Sequence, residues 1–383
     1  MPEIWLRYGT TDIPLDIRFE NLNKNIGPAS AHLPDEQVRD KLQEIPLKEN
    51  CLLVVLSSSA LTRRVLSWII DSATNKRITG FNIVILPKLK DFIDIRNEKY
   101  ASAILNANDL LSLNETMTKF QGTFFLSHST YDPIFGFEGT PTHLLRNFNK
   151  EMMSEAIRLR SGDLPTPGII SEPYSLALSV CKNIDATSIE IVGNSNNLID
   201  MYCSSIEESF KNAASTLNEN SIIEPHRVKS EIISPSFDPI YHYTLAESLN
   251  CLWNSIDILS ESGSAVLLSE ARGGLGCEAL ERLVHGRPPV SSSSENERFI
   301  EGKEHLIFLE AMREKYDIGV ISTIPQHYLK TKLGLETFDG LKQVMAKLIS
   351  KYGKNHKVTL ISEGRSTLTR LDPGLKKEFN YPS

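Results

Sequence analysis

The chain is predicted to be a parallel α/β protein built from two Rossmann-like domains. Short, wholly apolar runs such as Cys51-Leu52-Leu53-Val54-Val55-Leu56 suit strands covered on both faces. Segments of about 10–15 residues with helical periodicity separate those runs, and that alternation is the signature of a parallel sheet. The length of 383 residues, at roughly 150 per domain, allows two or three domains.

In chain order, residues 4–8 and 13–17 alternate apolar and polar around Gly9-Thr10-Thr11-Asp12, which predicts a hairpin. Residues 51–56 form a buried strand, and Leu61, Val65, Trp68, Ile69 and Ala73 carry the next helix. Residues 81–86, closed by Pro87, complete a βαβ unit. Beyond it, residues 100–111 read as helix, 123–126 as strand, 149–160 and 175–182 as helices, 188–192 as strand and 198–217 as helix. The pattern restarts after Glu224-Pro225-His226: strands at 231–234, 265–269, 318–322 and 357–361 alternate with helices at 244–259, 274–285, 306–316 and 341–352. The predicted division is therefore 1–226 and 227–383, with an interdomain cleft. The serine-rich stretch 288–295 reads as a mobile loop of the second domain.

Lys plus Arg number 41 against 48 Asp plus Glu, a net charge of -7, which excludes a general nucleic-acid binder. Apolar runs fall far short of the roughly 18 residues that a membrane span needs, and the first residues lack a signal-peptide pattern. The five cysteines contain no CxxC pair, as in a reduced cytoplasmic protein. Nothing in the sequence fixes an oligomeric state.

Three strand-to-helix segments carry candidate chemistry. At residues 57–64, Ser58, Ser59, Thr62 and Arg63 open a helix whose amides and dipole favour phosphate or carboxylate, although serines also simply cap helices. Residues 127–143 read as a long polar loop in which His128 and Asp132 are candidates for proton transfer, or for plain turn chemistry. At 269–276, Arg272 and Gly274 lie in a glycine-rich turn, neither GxGxxG nor a P-loop, read either as substrate-binding or as a tight turn with Arg272 pairing Glu270. No HExxH, no GxSxG elbow and no metal-ligand spacing occurs.

Together these segments resemble the nickel-pincer lactate racemase family of 2-hydroxyacid racemases and epimerases. Tyr8-Gly9 resembles its N-terminal hairpin, and Thr62-Arg63 falls in its D-x-T-R-P turn. His128 and Gly136-Phe137-x-Gly139 match part of H-x-x-P-H-R-x-x-G-F-x-G-G-x-K, giving Gly136 and Gly139 a cofactor-binding expectation. Ser269-Glu270-Ala271-Arg272-Gly273-Gly274-Leu275-Gly276 is similar to A-E-C-x-x-G-x-G, Gly302-Lys303-Glu304-His305 to G-x-H-K, and residues 360–368 to the final strand and turn.

The departures fall on the chemistry. The resemblance puts the tethering lysine at Thr142, a nickel-ligand histidine at Asp132 and the turn's aspartate at Ala60. Neither shuttle histidine has a counterpart: residues 88–92 hold none, and Arg158 stands near the second position. Arg63 is retained, while Lys303 or His305 stands in for the substrate-gripping lysine. The resemblance thus implies a divergent protein that lacks the tethered cofactor and binds a small anionic metabolite or nucleotide. Two alternatives stay open: an isomerase using His128, Asp132 or His305 in altered roles, and a non-catalytic scaffold. The three segments are expected to face one cleft, since each begins at a strand C-terminus.

Overall fold

The computed structural model describes residues 3–28, 30–94, 100–160, 165–224, 226–287 and 299–372. The chain divides into two compact α/β units. An inserted unit comprises Ser30–Arg160 and Gly168–Glu219, and a terminal unit comprises Met1–Ala29, Ser161–Pro167 and Asn220–Ser383.

The inserted unit is wound about one sheet. Its order is Leu198–Ser205, Thr187–Gly193, Gly122–Asp132, Cys51–Val55, Asn82–Ile85, Ala101–Ile104, all pairs parallel except the first. Cys51–Val55 is fully buried along its length, as its unbroken apolar run requires. The following helix, Ala60–Asn75, buries Leu61, Val65, Leu66, Ile69 and Ala73 on one stripe, and Ser59 caps it by accepting from Thr62 N at 3.0 Å.

The terminal unit has a wholly parallel sheet ordered Glu336–Thr337, Asp317–Ile321, Leu259–Leu268, Val228–Ile233, Val358–Ile361, Leu22–Ile26. The hairpin of Glu3–Tyr8 and Thr11–Asp16 turns at Gly9, whose φ of 62° lies in the left-handed region. Its Leu6 and Leu15 share a core with Ile232, Val266 and Leu360 from the sheet and Val344 and Leu348 from the helix Leu341–Tyr352. This places residues 1–29 with the C-terminal part of the chain and corrects the expected 1–226 domain. The reason is a sixth strand, Leu22–Ile26, whose polar Asn23, Lys24 and Asn25 hid it from hydrophobic patterning.

Three element readings are also corrected. Residues 100–111 contain the edge strand Ala101–Ile104, and helix begins only at Leu110, where Asp109 and Ser112 cap each other. Sheet pairing overrides the helical propensity of the alanines there. Residues 198–217 split into a strand, Leu198–Ser205, and a helix, Ile206–Glu219. The helix expected over 274–285 starts at Glu278, because Gly274 and Gly276 both hold φ of 83°. Residues 288–295 lie outside the described residues.

Candidate functional site

In the inserted unit, strand order reverses beside Cys51–Val55: later strands lie on one side toward Ala101–Ile104 and on the other from Gly122–Asp132 onward. Open α/β sheets bind ligands at the C-terminal ends of strands flanking such a reversal. Residues 57–63 occupy that place. Thr62 Oγ1 lies 2.9 Å from both Ser57 Oγ and Ser59 Oγ, and Ser57 Oγ accepts the amide of His128 at 2.8 Å. The first and second predicted segments are therefore joined across the two strands. Arg63 is half-buried and donates from Nη1 to the Ser58 carbonyl at 2.5 Å, while exposed Arg64 donates to Asn196 O at 2.8 Å. Ser58, Ser59 and Thr62 are buried. The turn combines a 16-residue helix start, packed hydroxyls and a guanidinium, the donor set that grips an oxyanion.

The expected loop at 127–143 is instead regular structure. Gly122–Asp132 runs through its polar half, turns into Gly136–Glu138, and leads to the helix Thr140–Phe148. Polar side chains are accommodated there by buried partners. Ser129 Oγ donates to Glu190 Oε2 at 2.6 Å, Thr140 N and Ser188 Oγ donate to Glu190 Oε1 at 2.8 and 2.9 Å, and Thr130 Oγ1 donates to Glu138 at 3.0 Å. Burial pushes the Glu190 carboxyl upward in pKa, while these hydrogen bonds pull it back.

His128 and Asp132 are not brought together. They stand four residues apart on one strand, about 13 Å at 3.3 Å per residue. The His128 ring bonds through Nε2 to Gly193 O at 3.2 Å. Asp132 Oδ1 accepts the amides of Ile134 and Phe135 at 2.7 and 2.8 Å, and Oδ2 takes Arg146 Nη2 at 2.7 Å. Arg146 in turn lies over the Phe135 ring, 5.2 Å from its centroid. Gly136, at φ 82°, accepts the Gly168 amide on its carbonyl at 2.6 Å, and a Cβ there would sit 2.1 Å from Ile169 O. At Gly139 a Cβ would meet Phe210 at 2.5 Å. Both glycines are thus required by packing.

These contacts test whether the residues fit the nickel-pincer group that the family resemblance implies. Thr142 is fully buried, and its Oγ1 bridges the Gly139 amide and carbonyl, each at 2.9 Å, at the start of its own helix. It offers no amine for a tether. Asp132, where the resemblance implies a nickel ligand, has both oxygens committed. Among the described residues no group of three or more His, Cys, Asp and Glu is arranged to hold a metal ion. Thr142 and Asp132 are thus both engaged in contacts of their own hairpin and helix.

In the terminal unit, Arg272 is exposed, with its guanidinium 5.7 Å from the Tyr243 centroid, and Gly274 faces open space. Glu270 packs against Gly9 and raises the pKa of Tyr8, after burial the second cause of a shift to about 12. Lys303 begins the helix Lys303–Arg313, and His305 is buried, its Nδ1 accepting from Trp253 Nε1 at 3.4 Å. His305 is a core histidine held by an indole. The reversal point of this sheet, between Val228–Ile233 and Val358–Ile361, is closed by buried Glu363. Its carboxylate accepts Phe237 N at 3.0 Å and Ser366 Oγ at 2.8 Å.

Sequence reasoning missed Glu190, Arg146 and Glu363. Glu190 had a signal: a lone carboxylate inside the apolar run Ile189-Glu190-Ile191-Val192 must be buried with partners. Arg146 and Glu363 find their partners across turns, which no local pattern encodes.

The arrangement of two doubly wound sheets defines an α/β fold of the lactate racemase type. No family model and no curated protein matches the sequence. Among solved structures, the chain is similar to the lactate racemase apoprotein from Thermoanaerobacterium thermosaccharolyticum, with a TM-score of 0.74 at 11% identity, over 96% of this chain and 100% of that one. It is also similar to a protein from Thermotoga maritima, with a TM-score of 0.61 at 9% identity, over 90% and 99%. At these identities the likeness concerns the fold. No helix among the described residues is long and apolar enough to cross a membrane.

Proposed function

We propose that the chain is a divergent lactate-racemase-like protein that works without a tethered nickel-pincer nucleotide and binds a small anionic metabolite or nucleotide at the 57–63 turn. The observation that carries this reading is the commitment of Thr142 and Asp132 to their own hairpin and helix, while the reversal-point turn keeps Arg63 beside packed hydroxyls. A fold can outlast its chemistry, because function resides in the site rather than the scaffold. Arg63 supplies the charged donor, and the helix start supplies amides and a favourable dipole.

The test is titration of the purified protein with lactate, inorganic phosphate and a nucleoside monophosphate, followed by calorimetry and by amide chemical shifts. Arg63→Ala is expected to weaken the anion that binds by about 1.5–3 kcal/mol, the scale of hydrogen bonds to a charged group. Equal affinity of the variant for lactate and for phosphate, or no saturable binding of any of the three, overturns the reading and leaves a non-binding scaffold.

A further inference from the structure

The terminal unit contains a cavity of about 430 Å³ that lies wholly within that unit. It opens at the C-terminal end of the Asp317–Ile321 strand, between that strand, the N-terminal hairpin and the start of the Leu341–Tyr352 helix. Ile13, Pro14, Val320, Leu329 and Phe338 make part of its wall apolar. A volume in the range of roughly 300–1,000 Å³, apolar walls and a few convergent polar groups are the usual attributes of a small-molecule site.

The polar groups gather at one end. Thr337 lines the cavity, and its Oγ1 is buried without a hydrogen-bond partner. Gly340 gives the helix no side-chain cap, and Gln343 and Val344 turn their amides onto the Gly340 carbonyl at 3.1 and 3.3 Å. The amides of Leu341 and Lys342 have no acceptor within the helix, as at any helix start. Exposed Lys342 adds a cationic head. The opposing charge, Asp339, is held by the side-chain amides of Gln326 and Gln343 at 2.9 and 2.8 Å.

We infer that this cavity is a second ligand site, for a compound with a planar apolar ring and one anionic head, such as a nucleoside monophosphate or an aromatic carboxylate. The ring lies against Phe338, Ile13 and Pro14. The head accepts hydrogen bonds from the helix amides, Thr337 and Lys342. The site is separate from the 57–63 turn and needs nothing from it.

The full chain is titrated with adenosine 5′-monophosphate, adenosine, phenylacetate and inorganic phosphate, monitored by calorimetry and ligand-observed NMR. Binding of the monophosphate or the phenylacetate, with adenosine and phosphate each weaker by about tenfold or more, is the expected pattern, since each lacks half of the recognised group. Whichever of the two binds identifies the head group. Lys342→Glu and Thr337→Val are each expected to weaken it several-fold at unchanged melting temperature, whereas Arg63→Ala leaves it unchanged. Loss in Arg63→Ala but not in Lys342→Glu assigns the binding to the other turn and overturns the inference. Phosphate that binds as tightly as the monophosphate and is weakened equally by Lys342→Glu, or no saturable binding of either compound, overturns it too.

Discussion

The two sheets reverse strand order in the same way but treat the resulting crevice oppositely. In the terminal unit, Glu363 fills the reversal point and its carboxylate takes the Phe237 amide and the Ser366 hydroxyl. In the inserted unit, the equivalent place holds Ser57, Ser59, Thr62 and half-buried Arg63, whose guanidinium reaches the Ser58 carbonyl. A carboxylate already in place competes with an incoming anion, and a guanidinium attracts one. Shared topology therefore leaves two crevices of unlike chemistry, because the side chains at the strand ends differ.

The largest effect is expected where a carboxylate is most fully committed. Asp132→Ala removes the side-chain acceptor of two backbone amides and the ion-pair partner of the partly buried Arg146. It should cost about 3–5 kcal/mol of stability, read from denaturant unfolding, because a largely buried ion pair is broken and two amides lose their acceptor. Glu363→Ala should cost about 1–3 kcal/mol by leaving a part-buried amide and hydroxyl without their acceptor, and should leave any phosphate binding at the 57–63 turn unchanged. A gain of anion binding on removing Glu363 sharpens the contrast further, since it shows that the carboxylate was what closed that crevice.

Glu231 provides a pH-dependent comparison. It is fully buried on the central strand of the terminal sheet with one hydroxyl partner, Ser255 Oγ at 3.0 Å, and burial raises its pKa from 4.5 to about 8. A carboxyl with a higher pKa folded than unfolded retains its proton in the folded state. Its contribution to stability is fully present below about pH 4.5 and is lost as pH rises to about 8. Glu231→Gln should flatten this dependence, so that the variant gains on the native protein by a few kcal/mol between those limits. Parallel melting curves of the two proteins from pH 4 to 9 would contradict the assignment.

The smallest stability effect belongs to Arg63→Ala. Removal of a half-buried guanidinium from a carbonyl should change the unfolding free energy by less than about 1 kcal/mol, while it weakens anion binding far more. A large loss of stability with unchanged binding would make Arg63 a structural residue.

The buried strands and the helix at 341–352 were legible because continuous apolar runs and helical stripes report burial directly. Leu22–Ile26 and the polar half of Gly122–Asp132 were not, because their hydroxyls, amides and charges are satisfied by partners remote in sequence, such as Thr359 for Asn23 and Glu190 for Ser129. The candidate turn at 57–63 was visible as a strand running into a capped helix. The separation of His128 from Asp132 was not, since reading residues 127–143 as a loop removed the strand geometry that holds them about 13 Å apart.

The central proposal is that Thr142 and Asp132 are spent on structure at the positions where the resemblance implies a tether and a metal ligand. Intact-protein mass spectrometry with nickel analysis, on protein co-expressed with a pincer-synthesis pathway, tests it directly. Thr142 has no amine to form a lysine thioamide, and the carboxylate of Asp132 is a harder ligand than imidazole. The account predicts the unmodified chain mass and far less than one nickel per chain. A covalent nucleotide adduct with nickel near one per chain would contradict it and restore the racemase reading.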